Sequence, residues 1–197
     1  MLLEDSHDAR PVTAFVAPAG QGVYHDPSRA VETAILGEVQ RRLRHPAVIR
    51  AARGMSLFGE HAGGWLALGA LGAVLDRRRR RDWLRATASV AFAHGASIAV
   101  KRVVCRPRPD DPSVEVLVGT PSRLSFPSSH ASSTAAAAVA FGGLLGRQGL
   151  GLLSTVLIPP MVLSRLALGV HFPSDVLAGS ALGAAVAAFA ARRGVGR

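Results

Sequence analysis

Gln148 to Ser164, and again Val176 to Ala191, pass without a single charged side chain. Each stretch approaches the length of about 20 largely apolar residues that reads as a membrane-crossing helix. Apolar windows recur elsewhere in the chain, so a soluble globular domain is the weaker reading. The expected fold class is all-α, a polytopic membrane helical bundle. Hydrophobic residues make up 49% of the chain and charged residues only 18%, with Ala, Gly, Leu and Val carrying most of the apolar content. At 197 residues the chain is one domain by length. Residues 1–25, with scattered Pro and Gly and no periodicity, read as a flexible tail, and 26–197 as the folded domain.

The formal charge of +10 is nearly all arginine. Such a balance often points to nucleic acid. Here the arginines sit at the ends of apolar segments, which suits anionic lipid headgroups and not a nucleic-acid partner. Cys105 is the only cysteine, which excludes an intrachain disulfide and a cysteine-rich metal site. Met1 to Gln21 has no charged n-region followed by an apolar h-region, so no cleavable signal is expected. Insertion then relies on the membrane helices, and the expected location is the cell membrane, multi-pass.

Asp26 followed by Pro27 predicts an N-cap and a first helical position. Val31, Ile35, Val39 and Leu43 recur every four residues, with Glu32, Glu38, Arg41, Arg42 and Arg44 off that stripe. The spacing predicts an amphipathic helix on the membrane surface, or an ordinary helix packed on the bundle, ended or kinked by Pro46. About five transmembrane helices follow. They are expected near Ser56 to Leu75, Trp83 to Val104, Ser128 to Gly146, Gln148 to Leu168 and Ser174 to Ala191. Pro159-Pro160 should kink the fourth. Gly179 and Gly183 form a GxxxG pair that fits close helix contact, either within the chain or across a homo-oligomer seam. Lys and Arg divide almost evenly between the two ends of this bundle, so the positive-inside rule does not orient it.

Alternating helix directions carry three polar segments to one end. In the first, Lys101 and Arg108 bracket the basic run KRVVCRPRP, where an arginine fork and a lysine point charge both suit phosphate oxygens. In the second, Pro127-Ser128-Ser129-His130 opens a helix, whose N-terminal N–H groups favour an anion. Ser128 and Ser129 add hydroxyls, and His130 can give a proton to a leaving oxygen. In the third, Ser164-Arg165 precedes His171, and Asp175 lies four residues beyond. Asp175 can fix the His171 tautomer and aim its other nitrogen as a nucleophile. Each segment alone has a plain structural reading: headgroup contact, an N-capped helix with an incidental histidine, or an interfacial polar pair.

Together these segments resemble the type 2 phosphatidic acid phosphatase superfamily, membrane lipid phosphatases that share a site with vanadium haloperoxidases. The family pattern is Lys, six residues, Arg-Pro; then Pro-Ser-Gly-His; then Ser-Arg, five residues, His, three residues, Asp. Lys101 to Pro109, Pro127 to His130 and Ser164 to Asp175 follow it in order and spacing, with Ser129 in place of the usual glycine. A serine there still presents its backbone N–H, while its side chain narrows the pocket or adds a donor.

The resemblance implies that His171 attacks phosphorus and becomes a phosphohistidine, that Asp175 orients it, and that His130 protonates the leaving oxygen and then activates water. It implies that Lys101, Arg108, Ser128, Ser129 and Arg165 hold the phosphate oxygens, with no metal and no cofactor. The substrate would be a lipid phosphate in the membrane. A narrower likeness, in LVGTPSRLSFPSSH and LSRLALGVHFPSDVLAG, is to the small actinobacterial branch of the family. That branch implies removal of the sugar 5-phosphate from a decaprenyl-linked phosphoribose used for cell-wall arabinan. Undecaprenyl diphosphate, phosphatidylglycerophosphate and phosphatidate are the alternative substrates. A vanadate-dependent haloperoxidase and a non-catalytic lipid-phosphate binder are remoter readings. Glu60 and His61, at the catalytic end of the first helix, read as a structural pair or as headgroup contacts. His94 is expected to hydrogen-bond a neighbouring helix.

Overall fold

The computed structural model describes residues 27–194. The tail expected over 1–25 and the N-cap expected at Asp26 lie outside the described residues. Seven α-helices follow one another: α1 (Pro27–Leu43), α2 (Pro46–Gly59), α3 (Gly63–Leu75), α4 (Arg80–Val104), α5 (Ser129–Leu144), α6 (Gly146–Ala167) and α7 (Pro173–Gly194). The described residues contain no β-strand, only an isolated antiparallel bridge between Pro107 and Leu124 in the long connection after α4.

The centre of the bundle is α5. Every residue from Ala131 to Ala138 is buried, and all are Ala, Ser or Thr. Side chains this small let neighbouring backbones approach closely, and close packing is what holds apolar helices together where lipid replaces water. The approach is tightest from α7. A Cβ added at Gly179 would lie 2.4 Å from the Ser128 carbonyl oxygen, and one at Gly183 would lie 1.9 Å from that of Ser132. The GxxxG pair therefore packs inside the chain, against α5.

Two helices among the described residues, α6 and α7, are long and apolar enough to cross a membrane. The helix expected over Ser56 to Leu75 is not continuous. α2 ends at Gly59, a 3-10 turn covers Glu60–Ala62, and α3 starts at Gly63. His61 and Ala62 adopt left-handed backbone angles, φ 50° and 59°. Such angles cost an L-residue about 1–2 kcal/mol each. The corner is pinned by Trp65, which donates from Nε1 to Thr134 Oγ1 at 3.1 Å. The Trp65 ring also packs edge-on to Phe58. α6 runs through Pro159 and Pro160 as one helix. Both prolines are exposed.

α1 docks at the catalytic end. Leu36, off the predicted stripe, is its fully buried residue and packs with Val114, Ala131, Leu166 and Val176. Gln40 clamps the helix by donating to the carbonyls of Glu115 and Ala167 at 2.7 and 3.2 Å. Val31 and Ile35 of the predicted stripe remain exposed. The helix thus packs on the bundle with one face and keeps an apolar pair outside.

Candidate active site

α6 stops at a glycine. Gly169 has φ +71°, and a Cβ there would meet the Glu115 carbonyl oxygen at 2.3 Å, so only glycine fits this helix-ending turn. The turn sends Val170 and His171 back under the bundle, where His171 is 2% exposed. Asp175, in the first turn of α7, is fully buried. Its Oδ2 accepts from the Phe172 N–H at 2.8 Å and faces His171 Nδ1 at 3.4 Å. Arg108 Nη1 stands 3.2 Å from His171 Nε2. A guanidinium only donates, so Nε2 carries the lone pair and the ring proton sits on Nδ1 beside Asp175. Burial pushes His171 down to about 3, which keeps the ring neutral.

The cations come from three directions. Arg108 is held by donation from Nε to the Ser122 carbonyl at 2.8 Å and from Nη1 to the Val170 carbonyl at 2.5 Å. Burial lowers it to about 10, still a cation near neutrality. The bridge between Pro107 and Leu124 sets its direction. Arg165, 2% exposed, donates from Nη1 to Ser56 Oγ at 3.1 Å. Its Nη2 is buried with no hydrogen-bond partner among the described residues. An orphaned guanidinium nitrogen of this kind calls for an anion, since an unmet buried donor on a charged group is costly.

Lys101 lines the same cavity and is also tied to the loop before α5. Its Nζ donates to the carbonyls of Leu124, Ser125 and Pro127 at 3.0–3.1 Å. All three ammonium protons tie α4 to the loop leading into α5, so Lys101 offers the cavity its charge while its hydrogen bonds hold the loop.

At the start of α5, Ser128 is the N-cap, accepting from the Ala131 N–H at 3.4 Å, while its own N–H donates to the Asp175 carbonyl at 2.9 Å. It lies behind the site and not on the cavity wall. The Ser129 hydroxyl accepts from Ser97 of α4 at 2.8 Å. The side chain that replaces the family glycine is thereby turned toward α4. His130 places Nε2 3.0 Å from the Ser56 carbonyl. A cavity of about 500 Å³ is lined by Lys101, Arg108, Ser129, His130, Arg165 and His171, with Asp175 directly behind His171.

Three contributors were missed in the sequence. Ser56 serves two site residues, with its carbonyl to His130 and its hydroxyl to Arg165. Arg106 donates to Asp175 Oδ1 at 2.9 Å and to Ser174 Oγ at 2.6 Å, pairs with Glu32 of α1, and lies over the Phe172 ring. Glu32 also accepts from the Ser174 N–H at 2.9 Å. Burial pushes the Glu32 carboxyl up, but hydrogen bonds from Ser174 and Arg106 outweigh it and hold it below the ordinary range. These hydrogen bonds cross 68 to 142 positions of sequence, and no local spacing announces them.

A buried His/Asp pair facing a cavity of cations is the arrangement of a phosphoryl-transfer site, and the chain belongs to the PAP2 superfamily, whose family model matches residues 62–195. The chain is 51% identical over 167 residues to decaprenylphosphoryl-5-phosphoribose phosphatase of Mycobacterium tuberculosis, covering 84% of this chain and 92% of that one. It is 50% identical over 149 residues to the protein of the same name from Mycolicibacterium smegmatis, covering 75% and 81%. The fold is similar to a crystal structure described as the first transmembrane PAP2 type phosphatidylglycerolphosphate phosphatase, from Bacillus subtilis, with a TM-score of 0.73 at 22% identity over 88% of this chain and 89% of that one. It is also similar to LpxE of Aquifex aeolicus, with a TM-score of 0.67 at 20% identity over 82% and 95%.

Proposed function

We propose that this chain is a multi-pass membrane phosphatase that removes the 5-phosphate from decaprenylphosphoryl-5-phosphoribose. The observation that carries the reaction is the His171–Asp175 pair: Nδ1 is turned to the carboxylate, and Nε2 to a cavity lined by Arg108 and Arg165. The substrate follows from the relatives at about 50% identity that carry that name. Residues 26–197 form the catalytic domain. Five membrane crossings put the site at one membrane face, with α2 and α3 together making the first. The exposed Val31 and Ile35 of α1 rest on the headgroup layer.

His171 Nε2 attacks phosphorus, and the bond from phosphorus to the sugar 5-oxygen breaks. The proton for that oxygen comes from the His130 imidazolium, which exchanges the Ser56 carbonyl for the leaving oxygen as its hydrogen-bond partner and is left neutral. Asp175 holds the Nδ1 proton and balances the charge that grows on His171. Arg165 Nη2 and the Arg108 fork hold the equatorial oxygens, joined by the backbone N–H groups at the Ser129 end of α5 and by the charge of Lys101. Ser128 supports this set by fixing the start of α5. Water, deprotonated by His130, then attacks the phosphohistidine and releases inorganic phosphate. The positive charge around the transferring group comes from the protein's own side chains, so no metal is required.

The test is phosphate release from a panel of prenyl and glycerolipid phosphates with EDTA present. Release from the phosphoribosyl lipid is expected. Preference for undecaprenyl diphosphate, phosphatidylglycerophosphate or phosphatidate would replace the substrate, and loss of all activity in EDTA would contradict the metal-free mechanism.

A further inference from the structure

We propose that Glu60, His61 and His94 form a hydroxyl-binding subsite that grips the sugar ring on the leaving-group side of the scissile bond. The subsite rests on the assignment of His130 as the group that protonates the leaving oxygen. All three residues line the same cavity as His130 and His171. Their side of the cavity is fixed by α2. Ser56, one turn before Glu60, holds His130 Nε2 on its carbonyl. Gly59, immediately before Glu60, lies so close that a Cβ there would sit 2.8 Å from His130 Cδ2. Glu60 follows directly in the chain and lines the cavity that His130 also lines, on the side where the departing alcohol is expected.

The chemistry of this wall is unlike that of the phosphate cradle. The exposed Glu60 carboxylate has no hydrogen bond or ion pair among the described residues. His94, expected to bond a neighbouring helix, instead has its Nδ1 buried with no partner among the described residues. A carboxylate repels a phosphate but accepts from hydroxyls. An imidazole nitrogen pairs with a hydroxyl in either tautomer, because a hydroxyl both donates and accepts. A ring carrying two adjacent hydroxyls supplies two donors to one carboxylate and meets the unmatched nitrogen as well. The backbone supports the same reading. The left-handed angles at His61 and Ala62 break the helix at the point where Glu60 and His61 enter the cavity wall. Strain of this kind collects where a site needs side chains that a regular helix would direct elsewhere.

The experiment uses the full chain in detergent or nanodiscs and a matched pair of lipids, decaprenylphosphoryl-5-phosphoribose and its 2,3-dideoxyribose counterpart. The unaltered protein is expected to favour the hydroxylated lipid in kcat/KM by about tenfold or more, since a site built for hydroxyls rejects the analogue lacking them. Glu60→Ala and His94→Phe should each collapse that ratio toward one, leaving kcat/KM for the dideoxy lipid within about twofold. Glu60 is exposed, so its variant tests the subsite even if His94→Phe disturbs the fold. Equal turnover of both lipids by the unaltered protein would remove the subsite while keeping the proposed substrate. Variants that slow both lipids equally would also overturn it. A protein that ignores both lipids yet hydrolyses a glycerolipid phosphate would overturn the proposed function and the subsite together.

Discussion

Arg106 Nη1 stands 2.9 Å from Asp175 Oδ1, the carboxylate oxygen that His171 does not use. The guanidinium continues to Glu32 on α1, so the orienting carboxylate is itself anchored by a helix outside the central bundle. Removing one partner of a buried ion pair costs about 3–5 kcal/mol, because the other charge is left unmatched. Arg106→Ala should destabilise the protein and let Asp175 turn from His171, lowering kcat by about 10²-fold with KM little changed. Glu32→Gln keeps hydrogen bonding and should have the same pattern in milder form. The readout is the single-turnover rate of phosphoenzyme formation. A lowered melting temperature with an unchanged rate would reduce Arg106 to a structural part.

Arg165 and Lys101 should separate binding from scaffolding. Arg165→Lys removes the unpartnered Nη2 and the fork geometry, and should cost about 10²–10³ in kcat, as losing one preorganised donor does. Its melting temperature should stay close to that of the unaltered protein. Lys101→Met removes three bonds to loop carbonyls and should lower stability as well as activity. Thermal unfolding beside kcat distinguishes the two, and equal destabilisation by both variants would contradict the division.

His171 is held neutral by burial, at about 3. Its neutral form is the nucleophile, so the attack step should not weaken as pH falls from 7 to about 5. Stability moves the other way. Below about 6.5 an unfolded histidine takes up a proton that the buried one refuses, so stability falls as pH drops from there toward 3. Rapid-quench measurement of phosphoenzyme formation against pH checks this, and a loss with a midpoint near the ordinary histidine value would contradict it.

Gly183→Ala tests the packing of α7 on α5. The added Cβ would meet backbone, the Ser132 carbonyl oxygen at 1.9 Å, and no flexible side chain can move aside. Overpacking of this sort costs about 1–3 kcal/mol or more. A lower melting temperature is expected, and unchanged stability would mean that the helices do not approach this closely.

The three polar segments were legible in the sequence because their spacing is local and alternating helices bring their ends together. Lys101, His130, Arg165 and His171 reach one cavity on that basis alone. What was not legible depends on contacts across the fold. The break at His61 and Ala62 involves two residues that ordinarily sustain a helix, and only the flanking Gly59, Gly63 and Gly64 marked the place. The buried face of α1 centres on Leu36, with only Val39 of the four-residue stripe packed beside it, because the stripe recorded apolar spacing and not which side meets the bundle. The hydrogen bonds that hold Lys101 and Ser128, to loop carbonyls and to the α5 cap, also depend on contacts across the fold that no local spacing announces.

The central claim is that phosphate passes through His171. With substrate labelled in the transferred phosphate and the reaction quenched in alkali, mass spectrometry should find phosphate on His171, acid-labile and absent from His171→Ala. His130→Ala should retain the label longer, because water is no longer activated. Full phosphatase activity in His171→Ala, or label found only on another residue, would contradict the account.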